Sequence, residues 1–397
     1  MSEKLKVLQA IDVYLPDMDG VINCVHNYSA NLSETADVSV MAPRNKKTYR
    51  DDLPYEVIRC ASIRVPILNQ YYGFPALDKK FKKRVMDGDY DIIHAHSPFN
   101  MGKFALKTAR KKGIPVVGTF HSNMRPIFRS IFHFPFIVEP IIKSFGRLYN
   151  RYDEMFVCSE KVGEQLRSFG YKNKITYLPF GTDFEKCGNV EELSRQANIK
   201  FGFGEDELIF VYIGRIMKLK RIDFILRSLK LVKDSGVKFR FYAVGKGPEI
   251  KKLTRLASSL GFTEKEVVFT GFLERELFPL ISSRADLLLF PSLYDNFGLV
   301  KLECASYETA GVFIEGSCAG DGIKDGENGF LSEDDERSFA DAVIRATADR
   351  KRLKKVGKNA QDTLYIHWSE CAEILKKNYV RIIEEYKLKA NENDNKK

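Results

Sequence analysis

Residues 285–306, ADLLLFPSLYDNFGLVKLECAS, constrain the fold more than any other stretch of this chain. Ala285–Phe290 is a short apolar run of the length and composition of a buried parallel strand. Pro291 and Ser292 end it. The loop that follows carries Asp295 and Gly298, and glycine lets a backbone turn sharply or approach a ligand closely. Phe297, Leu299, Val300 and Leu302 then open a helical pattern. In an open α/β sheet, ligands gather at the carboxyl ends of the strands. A helix N-terminus there offers unpaired N–H groups to a phosphate. Asp295 and Glu303 stand eight residues apart, one on the loop and one about two turns into the helix, so they address one ligand from two sides. Ionised carboxylates only accept hydrogen bonds, which suits sugar and ribose hydroxyls. One stretch with both features fits a phosphorylated sugar.

The same alternation recurs along the chain. Short apolar runs at 4–11, 38–43, 55–61, 90–97, 115–122, 154–159 and 174–179 are separated by helical patterns, and a second series begins at 208–214, 239–247, 267–272, 285–290 and 312–316. That order predicts α/β architecture with doubly wound parallel sheets. The polar segment 183–207 reads as a linker. A turn at 325–330, DGENGF, completes the second sheet, the tail from Trp368 to Lys389 is helical, and 390–397 look frayed. The expected organisation is a first domain at 1–188, a second at 189–372 and a C-terminal segment at 373–397.

Composition narrows the class. Hydrophobic residues make up 44% of the 397, enough for two cores. No apolar run approaches the roughly 20 residues that cross a bilayer. The opening MSEKLKVLQAI passes straight into a strand pattern without a signal-peptide layout, and the seven scattered cysteines form no CxxC pair. A cytoplasmic protein with reduced thiols is expected. Charge is uneven: residues 1–190 hold 28 Lys and Arg against 20 Asp and Glu, while the remainder holds 35 against 33. A basic half implies an anionic partner, with membrane and nucleic acid both fitting that description.

Several loops sit where the strands end. Asp19-Gly20-Val21 precedes a helical pattern, and the absence of GxGxxG argues against a dinucleotide. His94 and His96 end one strand on one face; with no third ligand near in sequence, no metal is expected. His121 ends PVVGTFHS. Gly214-Arg215 and Lys220 follow another strand, and two cations there suit a diphosphate. Gly245 and Gly271-Phe272 close two further strands. Between Lys103 and Arg151 lie ten basic residues and one acid, Glu139. Within this stretch Arg125, Arg129, Lys143 and Arg147 alternate with Phe132, Phe136 and other apolar residues, and prolines 126, 135 and 140 divide it into short segments. Aromatic rings beside cations suit an anionic membrane surface rather than nucleic acid.

Four motifs in order, DGV, TFHS, GR…K and D-x7-E, resemble the retaining glycosyltransferases of family 4, which have the GT-B fold. That family usually carries Glu at both ends of the last motif; here the first position is Asp295. The resemblance implies two Rossmann-like domains with the active site in the cleft between them. It implies catalytic roles for His121, Arg215, Lys220 and Asp295. His121 touches the donor sugar and its phosphate, Asp295 faces the sugar, and Arg215 and Lys220 hold the pyrophosphate. It places donor binding at Gly20, Gly214, Gly245, Gly271, Phe272, Asn296, Phe297, Gly298, Leu299 and Glu303, the last on the ribose. No metal and no cofactor is implied beyond a nucleotide-sugar substrate, and no side chain stands out as a nucleophile. HAHSPF and TFHS followed by the aromatic basic stretch are most similar to the bacterial diacylglycerol glucosyltransferases. The expected partners are therefore UDP-glucose, a lipid acceptor and the inner face of a membrane. A GDP-mannose-dependent phosphatidylinositol mannosyltransferase, a soluble-acceptor transferase, a sugar-nucleotide epimerase and a non-catalytic sugar-binding relative are the alternatives.

Overall fold

In the computed structural model, residues 4–45, 49–65, 70–121, 123–132 and 134–394 are described. Ser122 of the TFHS motif lies outside them, as do residues 395–397 of the tail. The chain divides into two units: residues up to Phe180 together with those from Trp368 on, and Gly181–His367.

The first unit carries β1 (Leu5–Ala10), β2 (Ala36–Pro43), β3 (Glu56–Cys60), β4 (Ser62–Val65), β5 (Gln70–Gly73), β6 (Ile92–Ala95), β7 (Val116–Thr119), β8 (Glu154–Val157) and β9 (Ile175–Tyr177). Seven of them form a parallel sheet in the order β3-β2-β1-β6-β7-β8-β9, and β4 and β5 pair as a separate antiparallel hairpin. The central strands are buried along their whole length without alternation, as in a parallel sheet covered on both faces. The C-terminal helix Trp368–Asp394 belongs to this unit. Its first residue, Trp368, is 1% exposed and meets Tyr28 edge-on, with centroids 5.0 Å apart. Further along, Arg381 forks onto the buried Glu154 at 2.7 and 3.1 Å. Trp368→Ala should therefore destabilise the protein by about 3–5 kcal/mol. Denaturant unfolding followed by circular dichroism reads this, since Trp368 is the sole tryptophan and its fluorescence goes with it. A loss under about 1 kcal/mol would show that the helix is not anchored there.

The second unit carries β10 (Leu208–Ile213), β11 (Phe239–Val244), β12 (Val267–Gly271), β13 (Leu287–Phe290), β14 (Gly311–Ile314) and β15 (Phe330–Ser332). They form one parallel sheet in the order β12-β11-β10-β13-β14-β15. Both sheets thus reverse direction once, between β1 and β6 in the first unit and between β10 and β13 in the second.

Three local readings change. The segment taken as a linker contains the helix Val190–Phe201, capped by Asn189 and ended by Gly202 in the left-handed region. Ala197 is its only fully buried residue, with Leu193 and Phe201 partly buried against the core, so the helical stripe in its sequence is narrow. Residues 123–151 form two helices, Arg125–Phe132 and Pro135–Tyr149, rather than short pieces. Pro126 and Pro135 lie in first turns, where no N–H is needed. Pro140 sits inside the second helix, and the carbonyl it leaves unbonded belongs to the exposed Phe136. The C-terminal helix also runs on to Asp394, where fraying was expected.

Candidate functional site

In an open parallel sheet, the crevice at the switch point lies outside the carboxyl ends of the two strands where the order reverses. In the second unit these are β10 and β13. β10 delivers Gly214, Arg215 and Lys220; β13 delivers the loop with Asp295. The two loops meet in an ion pair between the Lys220 ammonium and Asp295 Oδ1. The Lys220 nitrogen also lies 6.0 Å over the Phe290 ring, which stacks on Tyr212 at an interplanar angle of 10°. The other carboxylate oxygen, Asp295 Oδ2, is buried and has no hydrogen-bond partner among the described residues. A buried carboxylate oxygen without a donor is costly, and a ligand hydroxyl would satisfy it. Arg215 is exposed, and its guanidinium has no partner among the described residues. Two cations and a half-satisfied carboxylate thus share the switch point.

The glycines there have steric reasons. Gly245 has φ +140°, and a Cβ on it would stand 1.9 Å from the Gly214 carbonyl oxygen. The three strand ends are laced by Gly214 N–H to Val244 O and Gly245 N–H to Gly271 O, at 3.0 and 2.8 Å. Gly298 has φ +71° beside Phe290. Phe272, just past β12, is 70% exposed, with the Lys246 ammonium 5.5 Å from its ring. It offers an exposed aromatic ring at the carboxyl end of β12, two strands from the switch point.

The helix after the loop is shorter than its spacing implied, spanning Val300–Ala305. Lys301 and Leu302 donate their N–H groups to Gly298 and Leu299, and Glu303 donates to Leu299. Three first-turn N–H groups are therefore already used within the motif. Phe297 is half-buried, with the Lys301 ammonium 4.4 Å from its ring. That ammonium is buried and donates to the carbonyls of Ala319 and Asp321 at 3.0 and 2.8 Å, tying the motif to the next loop. Asn296 is buried and Leu299 half-buried. Burial pushes the Glu303 carboxyl up to about 7, with Asp183 adding to the rise and Arg275 opposing it. Arg275 and Asp183 pair with each other at 2.6 Å.

In the first unit, Gly20 opens the helix Gly20–Leu32, with nothing within 4 Å of where a Cβ would stand. The Asp19 carboxylate already caps Val21 and Ile22 N–H, so a phosphate beside Gly20 would meet a negative neighbour. His121, just past β7, is hydrogen-bonded through Nε2 to His96 Nδ1 at 2.8 Å and stacks on Phe180. Burial holds its pKa down to about 3, so it is neutral at physiological pH. His94 bonds Tyr379 and Thr119 at 2.6 and 2.7 Å, the hydrogen-bonding role that its place on the strand allowed. Among the described residues no cluster of three His, Cys, Asp or Glu suits a metal.

The aromatic basic stretch separates into two kinds of residue. Ile131, Phe132, Phe134, Phe136 and Ile137 are exposed, Phe136 by 73%. Arg129, Lys143 and Arg147 are exposed as well, the last two further along the helix Pro135–Tyr149. Arg125 is turned inward: it bonds Glu139 and Ser168 and lies 5.2 Å from the Phe169 ring.

Spacing did not reveal Gln9, Arg221 or the Asp183–Arg275 pair, nor the bond that His96 makes to His121. Arg221 has φ +57° and is held by Asp334 at 2.6 Å, the Pro291 carbonyl at 3.2 Å and the Phe224 ring at 4.3 Å. It fixes the turn that carries Lys220. The signal for His96 was present, since His94 and His96 at i and i+2 share a strand face.

Comparison with known proteins agrees with this architecture. Residues 18–186 match Glycosyltransferase Family 4, and residues 194–363 match Glycosyl transferases group 1. The alpha-monoglucosyldiacylglycerol synthase of Acholeplasma laidlawii is 24% identical over 362 residues, 88% of this chain and 90% of its own. The D-inositol 3-phosphate glycosyltransferase of Nocardia farcinica is 26% identical over 331 residues, 80% of this chain and 72% of its own. The structure of Anabaena Alr3699/HepE in complex with UDP matches with a TM-score of 0.76 at 17% identity, covering 96% of this chain and 100% of that one. With a Family 4 domain followed by a group 1 domain, each on a parallel α/β sheet, the chain is a GT-B glycosyltransferase.

Proposed function

We propose that this protein is a retaining hexosyltransferase that carries glucose from UDP-glucose to a membrane lipid of the diacylglycerol class. The observation that carries the reading is the switch point of the second domain, where Lys220 neutralises one oxygen of Asp295 and leaves the buried Oδ2 without a donor. A sugar hydroxyl would satisfy that oxygen, while Arg215 and Lys220 would face the diphosphate. The exposed Phe272 ring would stack on the base, and Glu303 would accept from the ribose hydroxyls. The glycosidic bond to phosphate breaks as the acceptor oxygen bonds to the anomeric carbon on the same face. The acceptor's proton passes to the leaving phosphate oxygen. Arg215 and Lys220 meet the charge that develops, so the reaction needs no divalent ion. The exposed Ile131, Phe132, Phe134, Phe136 and Ile137 and the likeness to the Acholeplasma synthase support a lipid acceptor and a place on the inner membrane face. The likeness to the inositol phosphate enzyme favours a second reading, a soluble phosphorylated acceptor.

The test is nucleoside diphosphate release from UDP-glucose with and without vesicles containing diacylglycerol. Release should depend on the lipid, persist in EDTA and give an α-linked product by NMR. Donor turnover without lipid would point to an epimerase or hydrolase and overturn the proposal, as would a loss in EDTA restored by a divalent ion.

Glu303 adds a pH dependence. Its carboxyl sits near 7 in the free protein, above the ordinary range. The ionised form is the better acceptor, so donor affinity should rise as pH climbs from 6 to 8 and level off above. A nucleotide sugar is the right probe, because its diester phosphates do not titrate in this window. Calorimetry with wild type and Glu303→Gln reads it. A slope of the same size in both would remove Glu303 from the donor site.

A further inference from the structure

Gln9, His96 and His121 form a hydrogen-bonded chain that ends at the carboxyl edge of the first sheet. Gln9 lies on β1 opposite His94 of β6, and His96 follows two residues later on the same face. Gln9 is fully buried and His96 is 3% exposed. We propose that Gln9 and His96 are positioning residues that hold His121 in one tautomer, with the proton on Nε2 and a bare Nδ1.

The argument follows the protons. Burial keeps both rings uncharged, so each carries one N–H and one lone pair. Gln9 Oε1 lies 2.6 Å from His96 Nε2, and a carbonyl oxygen only accepts, so the His96 proton is on Nε2. His96 Nδ1 is then bare. It lies 2.8 Å from His121 Nε2, and that contact needs one proton, which His121 supplies. His121 Nδ1 is left as an acceptor. Phe180 stacks on the His121 ring at 17° and 5.6 Å, which holds the ring in its plane. The opposite orientation of the Gln9 amide would place Nε2 against His96 and reverse both rings.

This deepens the transferase reading and rests on it for one consequence only. A bare Nδ1 accepts from a hydroxyl and repels a phosphate oxygen, so His121 would favour a sugar hydroxyl over a diphosphate oxygen as its partner.

Histidine-selective 15N labelling gives only six rings, and His121→Asn assigns the one of interest. Two-bond proton–nitrogen correlation spectra of the free protein should show a protonated Nε2 and a bare Nδ1 on His121 between pH 5 and 8. In Gln9→Met, near-isosteric and without an amide, and in His96→Leu the preference should give way to a mixture. A proton on Nδ1 in wild type overturns the proposal, and so does an unchanged tautomer in a folded Gln9→Met protein. If His96→Leu does not fold, Gln9→Met alone decides. In the transfer assay Gln9→Met should lower kcat about five- to ten-fold, with KM for the donor nearly constant. The expected tautomers in a protein that transfers nothing would sink the transferase reading and leave the chain of protons standing.

Discussion

Lys220→Ala should lower kcat by roughly 10²–10³-fold, and Arg215→Ala by a similar factor, because one desolvated charge contact to a developing anion contributes about 3–4 kcal/mol. The two variants should differ in stability. Arg215 is exposed and has no partner among the described residues, so its loss leaves the fold as it was. Lys220 pairs with Asp295, and each of the two side chains keeps 21% of its exposure. Removing Lys220 leaves that carboxylate with both oxygens unsatisfied, a cost of about 1–3 kcal/mol. Pre-steady-state turnover and denaturant unfolding on both variants separate these effects. Lys220→Ala combined with Asp295→Asn should regain stability without regaining turnover. Near-normal kcat in both single variants would remove the diphosphate from this switch point.

The sheets were legible because burial on both faces writes strands as continuous apolar runs, and each long run, such as Leu208–Ile213, became a strand. Elements with little buried surface were not. Val190–Phe201 fully buries a single alanine, packs Leu193 and Phe201 partly against the core, and is tied down by Asn198, which accepts from the buried Arg284 at 2.7 Å. No periodicity announces that bond. The hairpin β4–β5 was missed too, since its two short strands pair only with each other.

In the candidate site, the residues at strand ends were legible because position alone puts them at the crevice. What they bond to was not. Asp295 and Lys220 are 75 residues apart, and His96 and Gln9 are 87 apart, so only the sheet order brings them together. Arg221 illustrates the limit. A left-handed residue is usually glycine, and nothing local marks an arginine for that conformation. Two long-range contacts, to Pro291 and Asp334, hold it there, together with the nearby Phe224 ring.

The same division between local pattern and long-range partner governs the membrane prediction. Four cations, Arg125, Arg129, Lys143 and Arg147, look equivalent in the sequence. In the structure Arg125 holds the helix Arg125–Phe132 to Glu139 and Ser168, so its replacement would disturb the fold. Arg129 also touches Glu139, at 3.2 Å, but 55% of its side chain is exposed. The informative variant is therefore Arg129, Lys143 and Arg147 to Gln. Each cation near an anionic surface contributes about 1 kcal/mol, so together they should weaken binding to anionic vesicles by about 10²-fold at low salt and much less at high salt. Phe132, Phe134 and Phe136 to Ser acts through a different force. Each ring buried from water stabilises binding by about 1.5–3 kcal/mol, and salt does not screen it. That variant should lose binding at every ionic strength and to neutral vesicles as well. Cosedimentation with the two vesicle types across a salt series reads both. Wild-type protein that ignores both vesicles would end the lipid reading, and a soluble acceptor would then fit the exposed apolar residues no worse than a lipid does.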